Sequence, residues 1–162
     1  FGPDARKDEP LFEEFYAADF GLVRTVCGFA PEAKEIVELL KGKGVRVVLA
    51  TNPLFPQIAT RQRIRWAGLE PENFEFSTTY ENSSYCKPNP AYYRQLLDKL
   101  GVDPKRCLMV GNDVQEDMDP AKSLGMKTFL LEPCLIDRKG TELCDQPRGG
   151  FGELKEFLLK NL

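Results

Sequence analysis

Short apolar segments alternate with amphipathic segments along this chain, and this alternation limits the fold more than any other feature. Residues 45–50, 107–111 and 127–131 are mostly apolar and too short for helices, so each is predicted to be a strand, with a weaker candidate at 74–78. Helical patterns separate them. Such an order predicts an α/β fold, a doubly wound three-layer parallel sheet with helices on both faces.

The predicted helices are bounded by proline and glycine. One begins at Pro31 and ends near Gly42, and another covers residues 90–100 and is closed by Gly101. Further helices are predicted at 11–20, 115–124 and 153–159, together with one at 55–67.

The absence of histidine from the 162 residues excludes several kinds of site. Ser-His and Cys-His catalysis, histidine general bases and histidine-ligated zinc are all ruled out, so acid–base chemistry must use carboxylates, Lys, Tyr or Cys.

The net charge of −3 argues against nucleic-acid binding. No apolar run approaches the roughly 20 residues that cross a bilayer, so we expect no membrane partner. The oligomeric state stays open.

Cysteine usage bears on the compartment. The five cysteines form an odd set with no C-x-x-C pair, and we find no signal peptide. A reduced, cytoplasmic protein with free thiols is the simplest interpretation.

Polar residues follow the predicted strands where ligands bind in doubly wound folds, beyond the carboxyl ends. Thr51 and Asn52 follow the first strand, Asp113 follows the strand at 107–111 with Asp117 four residues later, and Lys87 precedes a helix. A hydroxyl, backbone N–H groups and a lysine suit the oxygens of a phosphate. A carboxylate would repel that phosphate unless Mg²⁺ bridged the two.

Each of these residues also has a simpler interpretation. Thr51 could be a turn residue, Lys87 could lie in a solvated loop, and Asp113 could cap the next helix. Asp117 could complement the dipole of that helix. Taken singly, each is better explained by structure alone. Their order and their common position at strand ends favour one site, in which Thr51, Lys87 and Asp113 converge on a magnesium-bridged phosphate.

At these residues the sequence resembles the haloacid dehalogenase-like (HAD) hydrolase superfamily, in its phosphatase branch with a small helical cap. Residues 45–53, VRVVLATNP, resemble the second motif of the superfamily, a hydrophobic strand ending in Thr or Ser. Lys87 in CKPNP matches the third-motif lysine, and residues 108–126 match the long and specific fourth motif.

The resemblance implies a role for each matched residue. Thr51 would hydrogen-bond the transferring phosphoryl group with help from the Asn52 backbone, and Lys87 would neutralise charge on nucleophile and phosphate. Asp113 would bind Mg²⁺, and Asp117 would support the metal shell or Lys87. The resemblance thus implies a Mg²⁺-dependent hydrolase of small phosphorylated metabolites that works through an aspartyl-phosphate.

The family's first motif, an apolar strand followed by D-x-D, has no counterpart in the sequence. Asp117 and Asp119 have the right spacing but lie on a predicted helix. We therefore expect residues 1–42 to be the C-terminal part of the cap and 43–162 to be an α/β core lacking its first strand. That strand lies in the family between the second-motif and fourth-motif strands, so we expect these two to expose unpaired edges and the 162 residues alone to be inactive and poorly packed.

Two other functions are compatible with these residues. A non-catalytic HAD-like remnant could bind phosphate or a partner protein. The superfamily also contains dehalogenases, although the Gly-Asn-Asp sequence before Val114 resembles its phosphatase branch.

Overall fold

The computed structural model describes residues 7–143 and 145–162. The first six residues of the predicted cap segment and the predicted free thiol of Cys144 lie outside the described residues. The chain forms two compact units that divide between Asn82 and Ser83. This division does not test the cap–core boundary predicted at residue 42, which stays a prediction.

In its described part, residues 7–82, the first unit contains three α-helices and two short parallel strands. The elements are α1 (Glu9–Ala17), α2 (Pro31–Gly42), β1 (Val48–Leu49), α3 (Gln57–Trp66) and β2 (Phe76–Ser77), with 3₁₀ turns at Asp19–Val26 and Pro71–Asn73. In the β1–β2 pair, Val48 lies opposite Phe76. Phe20 is buried and stacks on Trp66 and Phe55, with ring centroids 5.2 and 5.8 Å apart, so aromatic packing organises this unit.

The second unit is built on a three-stranded parallel sheet. Its elements are α4 (Pro90–Leu100), β3 (Leu108–Gly111), α5 (Asp119–Ser123), β4 (Lys127–Leu131), β5 (Arg148–Gly149) and α6 (Phe151–Asn161), with a 3₁₀ turn at Pro104–Arg106 and a π-helical turn at Val114–Met118. The strand order is β3-β4-β5. Both β3 and β5 run parallel to β4.

The core of the second unit lies around its central strand. Phe129 and Leu130 on β4 are buried, and the Phe129 ring lies 5.2 Å from that of Phe157 on α6. From α4, Tyr92 and Tyr93 are each 1% exposed. Apolar residues on adjacent positions of a strand point to opposite faces, so β4 requires cover on both faces, as expected for a parallel sheet.

Helix ends follow the sequence signals. The Asn89 side chain caps α4 by accepting a hydrogen bond from the Ala91 N–H, and Gly101 ends the helix with a φ of 63°. This left-handed conformation suits glycine. None of the described helices has the length and apolar character needed to cross a membrane.

The α/β class with parallel strands is confirmed. The strand predicted at 127–131 is β4 itself, whereas the strand predicted at 45–50 shrinks to Val48–Leu49 and is only half-buried. Within the described residues β1 has one strand neighbour, β2, which leaves its other edge without strand cover. The described strands form two sheets rather than one.

Candidate functional site

Two carboxylates are fixed at the carboxyl end of β3. Asp113 caps the π-helical turn, because its Oδ1 accepts a hydrogen bond of 2.9 Å from the Glu116 N–H. Asp117 lies on that turn, and its Oδ2 accepts from the backbone N–H groups of Asn112 and Asp113, both at 3.1 Å. Asp113 therefore has the capping role that the sequence allowed, and its carboxylate is also buried.

Gly111 makes the approach of Asp117 possible. A Cβ atom at Gly111 would collide with the Asp117 carboxyl group. The Asp117 carboxyl group fills the space that a side chain at position 111 would need, so the last residue of β3 is glycine. Glycine in a strand often marks a place where another group comes this close to the backbone.

Lys87 is buried against Asp117. Its Nζ lies 2.6 Å from Asp117 Oδ1, and the Lys87 side chain is 6% exposed. The ammonium also lies 5.6 and 5.7 Å from the ring centroids of Tyr92 and Tyr93. The interpretation of Lys87 as a solvated loop residue is thus wrong. A buried lysine is stable here because it has a carboxylate partner and two aromatic faces.

Tyr93 closes this cluster from α4. Its hydroxyl donates a 3.0 Å hydrogen bond to the Glu116 carbonyl. Burial raises the pKa of Tyr93 well above its usual value, and the nearby negative charges, Asp117 first among them, add to the rise. The phenol therefore stays neutral and keeps its proton for the hydrogen bond.

Arg138 contacts Asp113 and was not predicted from the sequence. Its Nη1 lies 2.7 Å from Asp113 Oδ2 and 3.0 Å from Oδ1, and its Nη2 lies 3.7 Å from Glu116 Oε1. One signal was available. The loop that carries Arg138 leaves the carboxyl end of β4, and carboxyl ends of neighbouring parallel strands meet at one edge of a sheet.

The structure brings together Lys87, Asp113 and Asp117 in the second unit. Thr51 and Asn52 lie in the first unit, directly after β1. The Thr51 carbonyl accepts a 2.6 Å hydrogen bond from the buried Thr78 hydroxyl, which fixes the chain at that point. The phosphate-binding roles of Thr51, Asn52 and Lys87 stay predictions, as does the metal-binding role of Asp113.

The donors around Asp113 are compatible with Mg²⁺. Mg²⁺ prefers hard oxygen ligands and often uses one or two carboxylates together with water and substrate phosphate. Asp113 is buried and already faces a cation, the Arg138 guanidinium, whereas both Asp117 oxygens are engaged by Lys87 and backbone N–H groups. In residues 7–143 and 145–162, no group of three or more Asp, Glu, Cys or His side chains could hold an ion. The donors thus fit a site centred on Asp113 that also takes oxygens from water or substrate.

Known proteins resemble the chain in sequence. The sequence model of the haloacid dehalogenase-like hydrolases matches residues 5–125. The chain is 30% identical over 137 residues to ribulose-1,5-bisphosphate 5-phosphatase of Halopiger xanaduensis, covering 79% of this chain and 56% of that protein. It is 28% identical over 126 residues to hexitol phosphatase B of Escherichia coli, covering 76% of this chain and 54% of that protein. The chain thus spans about half the length of these relatives.

A solved structure shows the same fold. The HAD-hydrolase YfnB from Bacillus subtilis, described as bound to magnesium, aligns with a TM-score of 0.65 at 19% identity, covering 80% of this chain and 55% of that one. Because the family model covers most of the sequence, the assignment does not depend on the structural likeness alone. The chain belongs to the haloacid dehalogenase-like hydrolase family.

Proposed function

We propose that this chain supplies the metal- and phosphate-binding part of a Mg²⁺-dependent phosphatase of small phosphorylated metabolites. The observation that carries the proposal is the buried Lys87–Asp117 pair next to Asp113, at the carboxyl end of β3. The names of the two relatives, which are phosphatases of a phosphorylated sugar and of hexitols, support the reaction class.

Each residue has a defined task in this proposal. Lys87 presents a positive charge that is already desolvated and oriented, so it stabilises negative charge on the transferring phosphoryl group without reorganisation. Asp117 positions Lys87 through the 2.6 Å contact between its Oδ1 and the lysine Nζ. The Thr51 hydroxyl donates a hydrogen bond to a phosphoryl oxygen, and the Asn52 backbone N–H does the same.

Asp113 would hold Mg²⁺. When bound, the ion supplies positive charge that lets a carboxylate and a phosphate dianion occupy neighbouring positions. The nucleophile is the component that the family's pattern places in a strand followed by D-x-D, and no such pattern occurs in the 162 residues. We propose that this aspartate is contributed from outside these residues and forms the aspartyl-phosphate.

The same missing pattern favours a second candidate, a non-catalytic relative that binds phosphate or a partner. A dehalogenase is a third candidate, and the phosphatase names of the two relatives count against it.

The exposed, free thiols of Cys27, Cys86 and Cys134 suit a reducing compartment, and we propose the cytoplasm.

The test is a kinetic assay on the protein expressed from its complete reading frame. With Mg²⁺ and a panel of sugar phosphates, we expect hydrolysis that falls at least 100-fold in Asp113→Asn and in Lys87→Ala, because each removes preorganised charge from the site. Release of inorganic phosphate is the measurement.

Matched controls come from the neighbouring helix. Asp119 and Lys122 are exposed on α5, so Asp119→Asn and Lys122→Ala should keep hydrolysis within about twofold. If the wild-type protein binds phosphate but releases none from the sugar phosphates, the non-catalytic candidate is favoured over the phosphatase. Release of halide from a haloacid would select the dehalogenase.

A further inference from the structure

Residues 134–141, the strap, are attached to the segment that follows β3. The Ile136 N–H donates to the Asn112 carbonyl at 2.8 Å, and the Val114 N–H donates to the Ile136 carbonyl at 3.0 Å. The Asn112 side-chain amide donates to the Cys134 carbonyl at 2.6 Å. The strap therefore follows the chain that carries the candidate metal ligand.

Side-chain hydrogen bonds then fix the backbone at Arg138. The Gln115 side chain donates to Asp137 Oδ1 at 2.7 Å and accepts from the Arg138 N–H at 2.9 Å. Asp137 Oδ2 accepts from the Thr141 N–H at 2.6 Å, which closes the strap on itself. Arg138 thus projects from a backbone position that is held on both sides.

The Arg138 guanidinium neutralises a carboxylate that is mostly buried. The Asp113 side chain is 8% exposed, whereas that of Arg138 is 54% exposed. A buried carboxylate without a cation is strongly unfavourable, but an arginine that is already half-solvated loses little by turning into water. It also lines an open pocket of about 560 Å³, which gives the side chain room to move.

We propose that Arg138 is a built-in competitor of the divalent cation at Asp113. The guanidinium occupies the carboxylate in the metal-free protein and leaves when an ion binds, because two cations on one carboxylate repel each other. The arginine thereby sets the metal affinity. If the guanidinium contacts Asp113 in most of the metal-free molecules, only the remaining fraction can bind the ion. The apparent affinity for the ion is then reduced in proportion to that fraction. The inference rests on the metal site of the proposed function.

The experiment is a titration of the purified complete protein with Mn²⁺, followed by electron paramagnetic resonance of the free ion. Arg138→Gln keeps hydrogen-bonding capacity and removes the charge. We expect it to bind Mn²⁺ about tenfold more tightly than the wild-type protein, as it would if Arg138 occupied Asp113 about nine-tenths of the time. Mg²⁺ should displace the Mn²⁺ in both proteins.

Lys139→Gln is the matched control, because Lys139 is the next cation of the strap and is exposed. It removes the same charge without removing the contact to Asp113. An affinity gain in Arg138→Gln that does not exceed the gain in Lys139→Gln would overturn the inference and leave the metal site in place. A wild-type protein and an Arg138→Gln variant that both fail to bind Mn²⁺ would reject the metal site and, with it, the proposed function.

Thermal unfolding gives an independent readout. Without metal, Arg138→Gln should melt at a lower temperature than the wild-type protein, because the Asp113 charge has lost its partner. Saturating Mg²⁺ should raise the melting temperature of the variant more than that of the wild-type protein. Equal Mg²⁺-induced shifts in the two proteins would contradict the competition.

Discussion

The Lys87 ammonium lies 2.6 Å from Asp117 Oδ1, and both side chains are less than one-tenth exposed. The rest of the site follows from this pair. The β3 strand must end in glycine to admit Asp117, the π-helical turn must present it, and two tyrosines of α4 must cover Lys87. A buried ion pair contributes little net stability, but it fixes the position of a charge.

Removing Lys87 should destabilise the protein through the charge it leaves behind. Lys87→Met buries an uncompensated Asp117 carboxylate, so we expect a loss of about 3–5 kcal/mol in the free energy of unfolding. Adding Asp117→Asn should recover at least half of that loss, because the amide oxygen still accepts backbone hydrogen bonds. Urea unfolding measures both, and the exposed Lys122→Met is the control. A double variant no more stable than Lys87→Met would disprove the uncompensated-charge explanation.

Gly111→Ala should displace the Asp117 carboxyl group. The added methyl group has no room, so we expect a loss of about 1–3 kcal/mol in stability. Gly152 on α6 has open space around its Cβ direction, and Gly152→Ala should be neutral or stabilise the protein by up to about 1 kcal/mol. If urea unfolding shows the two substitutions to be equivalent, the close packing of Gly111 against Asp117 is disproved.

Alkaline pH should destabilise the protein through Tyr93. The folded state raises the pKa of this phenol, so its stabilising contribution is complete below the unfolded tyrosine pKa of about 10 and is lost as pH rises above it. Tyr93→Phe should lower the free energy of unfolding by about 1 kcal/mol at neutral pH, because it removes the hydrogen bond to Glu116. It should also make the free energy of unfolding fall less steeply as pH rises. Unfolding measured from pH 8 to 11 checks this. An unaltered slope in Tyr93→Phe would refute the prediction.

The sequence predicts best where one local rule decides the structure. The start of α4 at Pro90, its end at Gly101 and the five residues of β4 follow from such rules. The β5 strand was missed because Arg148 and Gly149 have no strand pattern, and they pair only because β4 lies beside them.

The candidate site shows the same division. The grouping of Lys87 with Asp113 and Asp117 follows from strand ends and motif spacing. The π-helical turn was not predicted, because a 3.6-residue period does not distinguish it from the start of a helix. The contact between Arg138 and Asp113 joins residues 25 positions apart, which no local pattern can specify.

Residues 1–162 alone should not hydrolyse an aryl phosphate. The sequence has no apolar run followed by D-x-D, so we expect these residues to lack the in-line nucleophile that the resemblance implies. With Mg²⁺ and p-nitrophenyl phosphate, release of nitrophenol should equal the rate in buffer. Turnover that Asp113→Asn abolishes would show that another residue of this chain is the nucleophile.

The central claim is that Lys87 and Asp113 serve one site that binds metal and phosphate together. Calorimetric titration of the complete protein with inorganic phosphate, with and without Mg²⁺, tests it directly. We predict that Mg²⁺ tightens phosphate binding at least tenfold, that Asp113→Asn removes this tightening, and that Lys87→Gln weakens phosphate binding under both conditions. Phosphate binding that is unaffected by Mg²⁺ and by both substitutions would contradict the account.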